Sequence, residues 1–290
     1  MKFRTDLALE RREMLKEEIE GVDIEKHENN ECKTTVITVK TENAVKVLGK
    51  PKGRYITLEM DSFSNDSTVS DGRLSSLIQS IKELLPEIRG TVLVAGVGNE
   101  DITSDALGPK TASNIFATRH IDDNLRKMAG FTKELTSVAS VSTGVLGKTG
   151  IESSEYIKSI CDSVKPCCVI TVDALAAGSV ERLGTTVQMS DTGISPGSGI
   201  GNSRKRIDEA FLGVPVIAIG IPTVVDAVSL AMELTAVKDE NIRKNNKSNG
   251  LIVAPKDIDL LIKNASYLLA LAINCALQPT LTQQELSALM

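Results

Sequence analysis

The chain has 290 residues, of which 41% are apolar and 24% charged, and its formal net charge is −5. This composition supports a sizeable core and excludes global disorder, and the negative charge argues against a nucleic-acid binder that relies on phosphate contacts. The first residues become charged at once, and no run approaches the roughly 18–20 uncharged apolar residues of a membrane span, so neither a signal peptide nor a membrane partner is expected. Five cysteines, two of them adjacent, favour a reduced cytoplasmic protein over a disulfide framework.

The first third of the chain has the periodicity of two helices separated by two strands. Apolar residues recur every three or four positions among charges over residues 4–20, which predicts an amphipathic helix. The β-branched, alternating segments 32–40 and 54–60 predict strands that pair antiparallel or lie at an edge. Residues 74–86 predict a second helix, which ends at Pro86.

From residue 91 the pattern changes to continuous apolar strands that alternate with helices. Strands buried on both faces are predicted at 91–98, 167–178 and 214–222. Helices are predicted around 106–119 and over 224–237, 255–277 and 281–289. This alternation is typical of βαβ units, so the expected fold is α/β, with a mostly parallel central sheet and helices on both faces.

Two polar stretches interrupt this pattern and are predicted to be loops. Residues 191–206 are rich in Gly and Ser, and residues 238–250 are charged and end in Asn-Gly. Both loops lie within one continuous α/β pattern, so a single domain is expected.

Two of the apolar runs lead to aspartates that are candidates for catalysis. VGNEDITSDALGP places Asp101 and Asp105 in the loop after the first run, and Asp173 directly follows the apolar residues of ITVDALAAG. Ligands and catalytic groups collect outside the carboxyl ends of parallel strands. Two carboxyls that share a cleft would work as a general acid and a general base able to activate water against an amide. The alternatives are an N-cap role for Asp105 and an arginine pair or turn cap for Asp173.

Other chemistries have weaker support in the sequence. The segment Ser142–Thr149 (STGVLGKT) differs from a phosphate-binding P-loop by the serine at its first position, so a nucleotide-binding α/β protein is the alternative class. His27 and His120 stand apart and no HxxxH or CxxC spacing occurs, so neither a metal nor another cofactor is expected.

Five motifs together resemble the germination protease, or spore protease, family of atypical aspartic peptidases. They are FRTDLALERREM, AGVGNEDITSDALGP, STGVLGKTGIES, ITVDALAAGSVERLGTTVQMSDTGISPGSGIGN and GVPVIAIGIPTVVDA. They occur in order along nearly the whole chain. The resemblance implies a fold like that of hydrogenase-maturation peptidases, and it implies that Asp105 and Asp173 are the two essential aspartates, without a metal.

The resemblance also implies a substrate and a way of making the enzyme. Members of the family are self-processing tetrameric zymogens that cleave small acid-soluble spore proteins at germination, after an acidic residue and before a hydrophobic residue and alanine. Asp6, Leu7 and Ala8 match that rule, so we expect a propeptide of residues 1–6, cleavage between Asp6 and Leu7, and a peptidase domain over residues 7–290. Phe3 stands where substrates usually carry a second acid.

The resemblance places such a protein in the cytoplasm of the forespore and in the spore core. An inactive scaffold member of the family is a further alternative. In the loop 191–206, Arg204, Lys205 and Arg206 are candidates to attract the acid before the cleaved bond, with a solvated charge cluster as the alternative.

Overall fold

The computed structural model describes residues 5–15, 17–29, 31–64, 71–128, 134–198, 204–235 and 250–290. The strands in these ranges are β1 Val22–Glu28, β2 Cys32–Val39, β3 Gly53–Met60, β4 Val92–Gly96, β5 Val138–Ser142, β6 Cys168–Ala177, β7 Thr186–Ser190, β8 Val216–Asp226 and β9 Ile252–Val253. The helices are α1 Ala8–Glu13, α2 Glu42–Leu48, α3 Asp71–Leu84, α4 Leu107–Ser113, α5 Asp123–Met128, α6 Leu146–Thr149, α7 Ser153–Val164, α8 Glu209–Leu212, α9 Ala227–Thr235, α10 Ile258–Leu277 and α11 Gln283–Ala288, with single 3₁₀ turns at Thr103–Asp105 and Val180–Arg182.

Across the described ranges the strands form one sheet in the order β1-β2-β3-β7-β8-β6-β4-β5, and β9 pairs with β8. The pairs β4–β5, β4–β6 and β6–β8 are parallel. The other pairs are antiparallel: β1–β2, β2–β3, β3–β7, β7–β8 and β8–β9. The fold is therefore α/β as predicted, but its sheet is mixed rather than mostly parallel. The reason is that the N-terminal strands, predicted as antiparallel or edge strands, join the same sheet through β7.

Helices cover both faces of the parallel half, which explains why its strands are continuously apolar. Val92 and Val94 of β4 belong to a core cluster that includes residues of α3 and α10. Leu93 and Ala95, which point to the opposite face, belong to a second cluster with residues of α7 and α8. Successive side chains of a strand face opposite sides, so both sides of β4 are buried under helices.

The longest helix, α10, lies in this core. By length and composition alone α10 could cross a membrane, although it includes the charged residues Asp259 and Lys263. However, 72% of its most apolar 18-residue window is buried inside the protein. That burial is typical of a core helix.

Some element boundaries differ from the predictions. The N-terminal helix spans only Ala8–Glu13, because Leu7 before it is extended and Asp6 bonds to the end of β6. Strand β8 continues to Asp226 alongside β6 and β9, so the helix predicted from residue 224 begins only at Ala227. Helix α4 ends at Ser113, well before residue 119. Strands β1 and β7 and helices α2 and α7 are among the elements that were not predicted.

Candidate active site

Asp105 is held in a tight turn between β4 and α4. Gly98 has φ +127°, and a side chain there would place its Cβ 2.1 Å from the carbonyl oxygen of Asp105. The backbone N–H of Asn99 donates to Asp105 Oδ2 at 2.8 Å. Thr223 of β8 donates its hydroxyl to the carbonyl of Ser104 at 2.7 Å, which ties this turn to the sheet. The glycine is therefore required for the close approach that fixes Asp105.

Asp173 lies within β6 rather than after it, which corrects the prediction of a strand-end position. Strand β4 ends at Gly96, whose register partner on β6 is Val172. Asp173 is thus the first residue of β6 beyond the end of β4, and its side chain is only 6% exposed. The side chain of Asp173 therefore lies at the end of a strand as predicted, but that strand is the neighbouring β4 and not β6.

Asp105 and Asp173 line the same cavity of about 230 Å³ together with Asp6 and Arg204. Burial raises the pKa of Asp173 well above its usual value, and the negative charges of Asp105 and Asp6 raise it further, while Arg204 acts in the opposite direction. Burial also raises the pKa of Asp105, against the lowering effects of the Asn99 N–H and Arg204. The negative charge of Asp105 thus adds to burial in favouring the protonated form of Asp173.

The N-terminal segment passes through this cavity in an extended conformation. The backbone N–H of Asp6 donates to the carbonyl of Ala176 at 3.0 Å, beside the bulge of β6. The Asp6 carboxylate accepts the N–H of Ala176 at 2.9 Å and the hydroxyl of Ser198 at 2.6 Å. Leu7 and Ala8, which follow, are both fully buried. The predicted cleavage segment therefore lies beside the two predicted catalytic aspartates.

A second cavity of about 180 Å³ adjoins the first at this segment. The two cavities share Asp6, Asp173 and Leu175 as lining residues. In the second cavity, Lys50 Nζ donates to the carbonyl oxygen of Asp6 at 2.5 Å, and Gln188 Nε2 donates to the same oxygen at 3.1 Å. Sequence analysis missed both residues, because neither lies in a pattern that distinguishes it from other polar residues of the chain.

Glu10 fixes the segment downstream of the cavities. Its carboxylate accepts the N–H groups of Gly178 at 2.8 Å and Ser179 at 3.1 Å, just after β6. Burial raises the pKa of Glu10, and the nearby Arg182, at 3.6 Å, is among the groups that counteract the rise. Glu10 was also missed, because in the sequence it reads as one more charge on an amphipathic helix.

The three basic residues Arg204, Lys205 and Arg206 lie in different surroundings. Arg204 lines the cavity that holds the two aspartates and lies 3.7 Å from Glu152. Arg206 lines the second cavity. Lys205 is exposed and its Nζ lies 3.8 Å from the centre of the Phe211 ring. Arg204 and Arg206 are thus at the site, whereas Lys205 packs against an aromatic ring.

The segment Ser142–Thr149 does not present a free lysine to a phosphate. Lys148 donates to Glu100 at 3.0 Å and to Asp101 at 2.9 Å. The last four residues of the segment, Leu146–Thr149, form the single helical turn α6. This geometry does not favour the nucleotide-binding alternative.

Parts of several predictions lie outside the described residues. These are Phe3 and the rest of 1–4, residues 199–203 of the first predicted loop, and all of 238–249 in the second. All five cysteines are free. Among the described residues, no three His, Cys, Asp or Glu side chains form a group that could hold a metal ion.

Comparison with known proteins identifies the family. Residues 4–238 match the family model described as germination protease. The germination protease of Caldanaerobacter subterraneus subsp. tengcongensis is 43% identical over 99% of this chain and 98% of its own length. The chain belongs to the germination protease family. It is therefore a protease of the kind that acts in bacterial spores.

The chain is also similar to another germination protease and to one solved structure. The germination protease of Clostridium perfringens strain ATCC 13124 is 39% identical over 98% of both chains. The crystal structure of the [NiFe] hydrogenase maturation protease HycI from Thermococcus kodakarensis KOD1 is 17% identical. The match covers 68% of this chain and 98% of that one, with a TM-score of 0.40.

Proposed function

We propose that this protease is an endopeptidase of the aspartic type, in which Asp105 and Asp173 activate a water molecule. The observation that carries the proposal is the common cavity of the two carboxyls beside the peptide bond that follows Asp6. Burial and the neighbouring charge keep one of the two carboxyls protonated while the other is ionised. That is the state in which such a pair has an acid and a base ready together.

The reaction uses this pair in two proton transfers. The ionised carboxylate accepts a proton from water as the water oxygen forms a bond to the peptide carbonyl carbon. The protonated carboxyl stabilises the carbonyl oxygen, and the leaving nitrogen takes up a proton as the C–N bond breaks. The products are a new carboxyl terminus and a new amino terminus, and no metal or other cofactor takes part.

Self-processing between Asp6 and Leu7 is the second part of the proposal. Residues 1–6 are the propeptide and residues 7–290 the mature peptidase domain. The segment already matches three successive subsites: the Asp6 carboxylate meets N–H and O–H donors, and Leu7 enters an apolar cluster with Leu175, Ala177 and Leu183. Ala8, at 0% exposure, is fully enclosed and belongs to an apolar cluster with Leu9 and residues of β2, β3 and α2.

The same subsites support a preference for protein substrates with an acid, a hydrophobic residue and alanine in sequence. We therefore assign small acid-soluble spore proteins as the substrates, and the forespore and spore core as the place of action. We further propose that the protein is made as a homotetrameric zymogen. Arg204 and Arg206 are assigned to substrate binding on their positions at the cavities, and Lys205 is retained as a weaker member of the same group.

Mass spectrometry of the purified, incubated chain tests this function. We expect loss of six N-terminal residues from the unmodified chain and no loss from Asp105→Asn or Asp173→Asn. Asp101→Asn is the matched control, because Asp101 is an exposed aspartate of the same loop and should leave trimming unchanged.

Other outcomes would refute the proposal. Normal trimming by either of the first two variants would remove that aspartate from the mechanism. An intact terminus with thermal stabilisation by ATP would favour the nucleotide-binding alternative. An intact terminus without any response to ATP or to substrate would favour an inactive scaffold.

A further inference from the structure

We propose that Lys50 and Gln188 form the electrophilic side of the active site, where they hold and polarise the carbonyl oxygen of the residue that precedes the cleaved bond. This inference rests on the proposed function, with Asp6–Leu7 as the bond that is cut. It assigns to two residues outside the aspartate pair the stabilisation of the negative charge that develops on that oxygen.

The first support is the convergence of two donors on one acceptor. Lys50 Nζ and Gln188 Nε2 lie 2.5 Å and 3.1 Å from the carbonyl oxygen of Asp6. They come from distant parts of the chain, the loop after α2 and the middle of β7. Fixed donors directed at the oxygen that becomes negatively charged stabilise the transition state of amide hydrolysis more than its ground state.

The second support is the way in which Gln188 brackets the residue after the cut. Its Nε2 donates to the Asp6 carbonyl, and its Oε1 accepts the N–H of Ala8. Both contacts are with backbone groups on either side of Leu7, so they do not depend on which hydrophobic residue stands there. Gln188 is paired in the sheet with Thr57 on β3 and Gly220 on β8, so its backbone is held rigidly.

The third support is the position of the Lys50 charge. Gly49 ends α2 in the left-handed region at φ +68°, and Lys50 follows it into the second cavity. Burial lowers the pKa of Lys50 to about 8. The charge of Asp6 opposes this shift, Arg11 and Arg206 add to it, and Glu10 opposes it. Lys50 is therefore positively charged at neutral pH and loses that charge in mildly alkaline solution.

The fourth support is the arrangement of the two sides. Lys50 and Gln188 line only the second cavity, Asp105 lines only the first, and Asp173 lines both. The two donors thus reach the carbonyl oxygen from the second cavity, whereas Asp105 borders the first cavity, which has space for a water molecule. A water molecule beside the aspartates can then attack the carbonyl carbon while separate donors hold the carbonyl oxygen, which is the division of roles that hydrolysis of an amide needs.

The test is the first-order rate of self-cleavage in full-length chains, followed by mass spectrometry. Lys50→Met should lower this rate by about 10²–10³-fold, the usual cost of losing one such donor. Lys52→Met is the matched control, because Lys52 is exposed and pairs with Glu42 at the surface. Gln188→Leu should also slow the reaction, whereas Gln79→Leu, at an exposed position of α3, should not.

Two further readouts separate polarisation from simple anchoring of the segment. The rate for the unmodified chain should fall above pH 8 as Lys50 deprotonates. Lys50→Arg should recover part of the rate and shift this fall to higher pH. Amide hydrogen exchange of residues 5–9 should show that the segment stays protected in Lys50→Met.

Each remaining outcome has a definite reading. If Lys50→Met cleaves as fast as Lys52→Met, or if it slows only because residues 5–9 lose protection, the inference is overturned. If the unmodified chain does not cleave itself, or if Asp105→Asn cleaves normally, the proposed function fails first, whatever Lys50 does.

Discussion

Replacing Leu7 with alanine should release the N-terminal segment from the active site. Leu7 is fully buried and packs against Leu175, Ala177 and Leu183 in a small cluster separate from the main core. The change removes three carbons from this cluster.

The magnitude follows from the burial of this side chain. A fully buried leucine replaced by alanine costs about 2–5 kcal/mol, from lost transfer free energy and from the cavity that remains. Because each 1.4 kcal/mol is a factor of ten, the population of the open segment should rise about 30-fold to a few thousand-fold. The effect should appear as local opening, since Leu7 lies outside the larger clusters that hold the sheet and its helices together.

Amide hydrogen exchange measures this opening directly. Both chains would carry Asp105→Asn so that the Asp6–Leu7 bond stays intact, and exchange would be followed at Asp6, whose N–H bonds to Ala176. Leu234→Ala is the control, because Leu234 is 76% exposed. Exchange at Asp6 within threefold of the parent chain would refute the assignment of Leu7 as the anchor.

Two further predictions concern buried charge. Asp173→Asn should make the untrimmed protein more stable than the parent chain at pH 8, as measured by urea denaturation. Burial raises the folded-state pKa of Asp173, so the stabilising contribution of this carboxyl is complete below about pH 4, declines as pH rises and is lost above the folded-state pKa. If the greater stability of Asp173→Asn over the parent chain does not shrink at pH 4, this reasoning is contradicted. Arg182→Met should cost about 1–3 kcal/mol, because it removes the cation beside the buried carboxylate of Glu10, which keeps its two backbone N–H donors. The control Arg89→Met, at a largely exposed surface pair, should cost less than about 1 kcal/mol, and equal losses in the two variants would argue against a buried ion pair.

The central strands were predictable because their apolar runs are local in sequence. Strands β4, β6 and β8 each have a continuous apolar stretch, and the two aspartates could be placed near one sheet edge from those runs alone. Strand β1 was missed because nearly all of its residues are exposed, so its sequence lacks the alternation that indicates a strand. Strand β1 forms because its backbone pairs with β2, and this pairing depends on two segments of the chain together.

The mixed character of the sheet also depends on distant pairing. The order β3-β7-β8 places an antiparallel half beside the parallel one, through a contact between residues 55–59 and 186–190. The sequence pattern predicts β3 and β8 but not β7, and it contains no information about which edge each strand will join. Such pairings are decided by packing of the whole chain.

The amino-acid sequence by itself determined the family and the α/β class, and it predicted the two aspartates as a pair, because each of these depends on short motifs or on local periodicity. Only the tertiary structure brought Lys50, Gln188 and the Asp6–Leu7 bond to the same pair of cavities. These residues lie more than forty positions apart, and their chemistry depends on burial and on hydrogen bonds between distant segments, which arise only when the strands assemble.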